Sequence, residues 1–159
     1  MLNPLAWLLG LLLPACGAIG AQGVPRPATL NLTDLHRPSS PNTALAAPAG
    51  FVPAPDIVLS DFANPAQVLW AAVGRAAAAQ PRTYPLEDKP AQMEGSWVAR
   101  SALLNFPDIV NAQALPAGEG KSQLILYSHS VYGYSDFGVN RRRLQAWLSA
   151  IGAILGTHR

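Results

Sequence analysis

A chain of 159 residues accommodates one domain with an N-terminal extension and excludes a large multidomain enzyme. Eleven Lys and Arg against nine Asp and Glu leave a formal charge of +2, too small and too scattered to point to nucleic acid. Charged residues are 13% and hydrophobic residues 50%, so a buried core is expected; the single cysteine excludes an internal disulfide framework and a cysteine-based zinc site.

The first 25 residues carry no charged side chain, and residues 5–13 are apolar apart from Gly10. That run has the length of a signal peptide's central segment and falls short of the roughly 20 residues a spanning helix needs. It ends in Leu13-Pro14-Ala15-Cys16-Gly17, which resembles a bacterial lipobox: a small residue precedes the cysteine, and cleavage between them would expose Cys16 for acylation. An exported chain with one unpaired cysteine is thereby accounted for. Pro14, and the lack of a basic residue before the run, depart from the usual leader. Cleavage near Ala18 or Ala21 with plain secretion, or an uncleaved anchor, therefore stay open. Gly17 rather than Asp after the cysteine favours the outer membrane. The expected organisation is a signal peptide at 1–15, a tether and Pro-rich arm at 16–60, and a domain at 61–159.

Eight of the fifteen prolines fall in 25–65, where fixed φ and biased predecessors argue against any helix or central strand. Residues 17–30 read as a tether. Leu35, Leu45, Phe51, Val52, Ile57, Val58 and Leu59 are too apolar for a free linker, so part of the arm is expected to dock. The first helix is placed at Asn64-Pro65, Asn as cap and Pro in the first turn, and runs to about Ala79 before Pro81. Strands are read at 82–86, 95–102, 109–115 and 123–131, the last two joined by a glycine-containing hairpin at 116–120. A second helix spans 138–155, with Leu144, Trp147, Leu148, Ile151, Ile154 and Leu155 on one stripe, Gly156 as C-cap, and His158 and Arg159 near its negative end. The fold class is α+β: an antiparallel meander of three to four strands with two packing helices, in α-β-β-β-β-α order, after an extended arm. Trp70, Trp97 and Trp147 are assigned to the core.

The segment Gly133-Tyr134-Ser135-Asp136-Phe137-Gly138-Val139-Asn140-Arg141-Arg142-Arg143 resembles the signature of domain of unknown function 1499, Gly-x-Ser-Asp-hydrophobic-Gly-x-Asn-Arg-x-Arg. Residues 35–42 and Phe106-Pro107-Asp108 share the resemblance, which covers about 29–155. His129 and Val131 stand where that family usually has arginines. The resemblance implies an exported or membrane-associated α+β domain and brings no activity.

Within this segment, Ser135 and Asp136 are placed to cap the second helix. At ~100° per residue, Asn140 falls within about 20° of the middle of the apolar stripe, with Phe137 on the same side. A core-facing amide there requires partners, either the strand and loop at 128–135 or a ligand. Arg141, Arg142 and Arg143 point about 100° apart, so at most two converge on one anion. In a strand, Ser128 and Ser130 face away from His129, so neither neighbour serves it as nucleophile. Tyr127, Tyr132 and Tyr134 could line a pocket or meet lipid headgroups.

The candidate binding residues are Ser128, Ser130, Tyr134, Asn140, Arg141 and Arg143. No catalytic constellation, metal site or cofactor is expected. The leading expectation is a non-enzymatic envelope lipoprotein, on the periplasmic face of a bacterial membrane through Cys16, that binds a protein partner or small anionic ligand. The alternatives are a small envelope hydrolase pairing His129 with a carboxylate such as Asp108, or a structural subunit of a membrane complex.

Overall fold

Alanine sets how closely helices approach this sheet. On one face Ala44, Ala46, Ala112 and Ala114 alternate with Val110, Leu124 and Leu126, leaving room for Leu69, Val73, Leu144, Trp147 and Ile151 from two helices. The computed structural model describes residues 4–24 and 30–156. Its elements are α1 (Pro4–Leu12), α2 (Pro14–Gly17), β1 (Thr43–Pro48), β2 (Ile57–Leu59), α3 (Ala66–Ala79), β3 (Thr83–Lys89), β4 (Glu94–Arg100), β5 (Pro107–Pro116), β6 (Ser122–Ser130) and α4 (Val139–Leu155). The strands form one mixed sheet in the order β2-β1-β6-β5-β4-β3. All neighbours are antiparallel except β1 and β2, which run parallel.

The fold is α+β, and from residue 66 onward the α-β-β-β-β-α order expected from the sequence is present. The sheet is larger than the expected meander because the Pro-rich arm supplies two further strands. β1 is a central strand, paired on both sides, inside the stretch where prolines argued against one. The physical reason is placement: Pro41 precedes β1 and Pro48 ends it, while the five strand residues before Pro48 retain every N–H the ladder needs. Pro65 is the N-cap residue of α3, in place of Asn64, whose carbonyl instead accepts from Ser122 Oγ.

Three tryptophans close the helix face. Trp97 of β4 meets Trp147 of α4 edge-on at 5.2 Å and tilts against Trp70 of α3 at 6.1 Å. Gly95 makes room for two of them, since a Cβ there would stand 3.1 Å from Trp70 and 3.3 Å from Trp97. At the far end of α4, Gly156 adopts φ 71° as the expected C-cap; His158 and Arg159 lie outside the described residues.

Among the described residues, the opposite face of the sheet carries no helix as long as α3 or α4. Leu45, Ala47, Ile125 and Tyr127 are covered by Leu32 and Leu35, and Val98 and Ile109 by Ala15 and Val24. The described part of the expected tether is therefore laid against the sheet. Among the described residues no helix is long and apolar enough to cross a membrane.

Trp147→Ala should lower stability by about 3–5 kcal/mol, whereas Val58→Ala, at an exposed position of edge strand β2, should change it by about 0.5 kcal/mol or less. Urea unfolding of the two variants checks both values.

Candidate functional site

At the sheet end where β6 finishes and β5 begins, Asp108 lies opposite Ser130, and Val110 opposite Ser128. All four side chains share the helix face, because alternate residues of these strands, Val110, Ala112, Leu124 and Leu126, pack under α3 and α4. The first turn of α4 lowers Asn140 and Arg143 onto them.

Asn140 is fully buried, as its place on the stripe requires. Its Nδ2 donates to the carbonyl of Asn42 at 2.9 Å and to Ser130 Oγ at 3.0 Å. Its Oδ1 accepts from the Ser128 hydroxyl and, at 2.7 Å, from Arg143 Nη1. Arg143 Nη2 reaches Asp108 Oδ2 at 2.6 Å, and both side chains are largely buried. An ion pair so removed from water depends on further hydrogen bonds to offset its desolvation, and Ser128 and Asn140 supply them on the guanidinium side. The amide thus has its partners within the protein, from β6 and from the residue leading into β1.

The loop above this network is held in place. Asn42 Nδ2 donates to the carbonyl of Gly133 at 2.6 Å. The Asp136 carboxylate accepts from the amides of Gly138 at 2.9 Å and Asn140 at 2.7 Å, the second a donor of the first turn of α4, while the N-cap position itself is held by Gly138 and not by Ser135 or Asp136. Ser135 Oγ accepts from the Phe137 amide at a longer 3.4 Å. Phe137 departs from the expectation that it faces the core: it precedes the helix in the left-handed region at φ 53° and projects into solvent. Its carbonyl accepts from Arg142 Nη1 at 3.0 Å.

The candidate binding residues therefore divide. Ser128, Ser130, Asn140 and Arg143 bond to one another and to Asp108 and Asn42, whereas Tyr134 and Arg141 are exposed. His129 points to the other face, where it pairs with Ile109 and stacks on Tyr127 at 5.2 Å. A pairing of His129 with Asp108 is not formed, because the sheet stands between them and Arg143 holds the carboxylate. Burial pushes the His129 imidazole below its ordinary range, with Asp108 partly countering. Burial likewise raises the Tyr127 hydroxyl, against a hydrogen bond from Thr43 and the charge of Arg37.

A second cluster lies outside the residues singled out from sequence. Arg100, buried at the end of β4, donates to the carbonyls of Ala15 and Gly20 at 2.6 Å, Gln22 at 2.8 Å and Asn105 at 3.2 Å. Asn105 Nδ2 donates to the carbonyls of Cys16 at 2.6 Å and Ala18 at 2.9 Å, and its Oδ1 accepts from Arg82. Two side chains thus grip five carbonyls of residues 15–22. Cys16 is buried in this arrangement, and burial raises its thiol despite the nearby Arg100 charge. Nothing in the spacing of Arg82, Arg100 and Asn105 pointed to this cluster. Asn42 was within reach, because it ends the 35–42 segment that carried part of the family resemblance.

The family of proteins of unknown function DUF1499 matches residues 33–151. The chain belongs to the DUF1499 family. That match takes in every member of the Asn140 network and both strands of the Pro-rich arm, and it begins after the segment gripped by Arg100. No curated protein matches the chain. Among solved structures, Ara h 8.0201 is 9% identical with a TM-score of 0.46, covering 61% of this chain and 94% of that one. A solution structure from Thermobifida fusca is 10% identical with a TM-score of 0.45, covering 74% and 98%.

Asn140→Ala would leave Ser128, Arg143 and the Asn42 carbonyl short of a partner and should lower stability by about 2–4 kcal/mol; Arg142→Ala should change it little, by about 0.5 kcal/mol. Chemical denaturation distinguishes the two. Because His129 resists protonation when folded, the unfolded chain takes up its proton first as the pH falls below about 6.5. Its contribution to stability is thus intact above that value and lost below it, and His129→Phe should flatten the fall in melting temperature between pH 7 and pH 5.

Proposed function

We propose that this DUF1499 protein is an exported bacterial envelope protein, tethered by acylated Cys16, that works as a binding module and not as an enzyme. The observation that carries the reading is the division of the family segment. Its inward side chains are engaged with one another, while Tyr134 and Phe137 stand outward on a loop held by Asp136 and Asn42, with Arg141 and Arg142 outward on the first turn of α4 beside it. A loop so held presents a fixed surface to a partner at low ordering cost. The leader supports the location: an uncharged apolar run, residues 5–13, is followed by Pro14 and then by one small residue, Ala15, directly before the chain's single cysteine. Acyl chains on that residue hold a domain at a membrane without a spanning helix. In the full chain α1 lies close against α2, since a Cβ on Gly10 would come within 2.6 Å of Gly17 Cα. Cleavage before Cys16 removes α1 together with Pro14 and Ala15, the first half of α2, and so frees Gly17 from that contact.

Intact mass spectrometry of protein gently extracted from its host's membranes tests this reading. The expected denatured mass is that of residues 16–159 plus acyl groups, and the native mass should include what the module holds, either a small anionic ligand such as a lipid or a protein partner. An unacylated chain cut near Ala21, with nothing bound, would contradict both the tether and the binding role.

A further inference from the structure

We infer that the sheet end bearing the β4–β5 turn and the β6–α4 loop is apposed to an anionic phospholipid bilayer; this rests on the tether proposed above and adds its orientation.

Topology brings the relevant side chains together. Arg100 pairs with Pro107 and Asp108 with Ser130, so residues 101–106 and 131–138 leave the same end of the sheet. Asn105 and Arg100 grip the carbonyls of Cys16, Ala18 and Gly20 at that end, placing the start of the mature chain there. Four large apolar residues stand out of the surface around it: Ile19 (66% exposed), Leu103 (64%), Tyr134 (73%) and Phe137 (89%). Ile19 lies between two gripped carbonyls, Leu103 is in the β4–β5 turn, and the aromatic pair is in the β6–α4 loop. Aromatic and aliphatic tips with cations beside them suit the boundary between headgroups and acyl chains.

Charge is divided along the same axis. Arg82, Arg141 and Arg142 are exposed at this end. The carboxylates nearby are engaged: Asp108 with Arg143, Asp136 with helix amides and Asp56 with Arg37. The opposite end carries Glu87, Asp88 and Glu94 about the β3–β4 connection and Glu119 in the β5–β6 hairpin, against Lys89 and Lys121. A negative surface therefore attracts one end and repels the other. A protein partner of ordinary acidity would satisfy the arginines but leaves unexplained why the acyl attachment point and the apolar tips share their end.

The test uses the acylated full protein in nanodiscs rich in phosphatidylglycerol or made of phosphatidylcholine, followed by hydrogen–deuterium exchange. Slowed exchange at 101–106 and 131–142 in the anionic discs, with 117–121 unaffected, is expected. Arg141→Ala and Arg142→Ala should each reduce that protection roughly fivefold. Tyr134→Ser with Phe137→Ser should abolish it, and Lys121→Ala should leave it unchanged. Equal protection in both lipids, protection of the β5–β6 hairpin, or protection appearing only when envelope proteins are added would overturn the inference. The denatured mass of the same samples reports acylation separately. If it shows none, the tether fails, and the same exchange pattern from unacylated chain added to the discs still decides the surface.

Discussion

The ion pair between Arg143 and Asp108 ties the family segment to the sheet. Two charges so far from water are tolerated only where their remaining donors and acceptors are met. Asn140 and Ser128 do this by binding the guanidinium, and Asn140 also bonds Ser130 and the backbone before β1. The network therefore joins α4, β5, β6 and the N-terminal arm at one point. The pitch of the first turn of α4, and so the direction in which the preceding loop projects, follows from it.

Outward and inward residues of one short segment consequently have different work. Arg143 and Asn140 orient the helix, and Asp136 satisfies its first amides. With those positions set, Phe137 and Tyr134 cannot reach the core and are left at the surface with Arg141 and Arg142. A run of three arginines thus contains one largely buried structural cation and two exposed ones, a distinction that follows from the 100° step between successive helical residues.

Much of this was legible beforehand. Helical periodicity located α3 and α4, the inward turn of Asn140 followed from its stripe, and strand alternation already put His129 opposite Ser128 and Ser130. Asp136 was expected as the cap from its place before the helix; Gly138 takes the N-cap position, and the Asp136 carboxylate reaches the Asn140 amide from further back. What escaped was set by tertiary contact. β1 has alanines in place of the β-branched and aromatic residues that mark strands, because helices approach closely over it, and prolines at its ends concealed its intact ladder. Phe137 was assigned to the helix stripe, yet the helix starts two residues later, after a left-handed turn that its side-chain chemistry does not announce. Arg82, Arg100 and Asn105 carry no motif; only pairing of β3, β4 and β5 brings them to one end, where they meet a segment some 80 residues earlier.

The most direct test of this account is a double-mutant cycle on Arg143→Met and Asp108→Ala, read by urea unfolding. If the network anchors α4, each single variant loses about 3–5 kcal/mol by stranding a buried charge, and the double variant loses little more than either, a coupling of about 2 kcal/mol or more. Small, additive losses would show that the pair does not hold the helix, and that the segment's inward residues are free to serve a ligand instead.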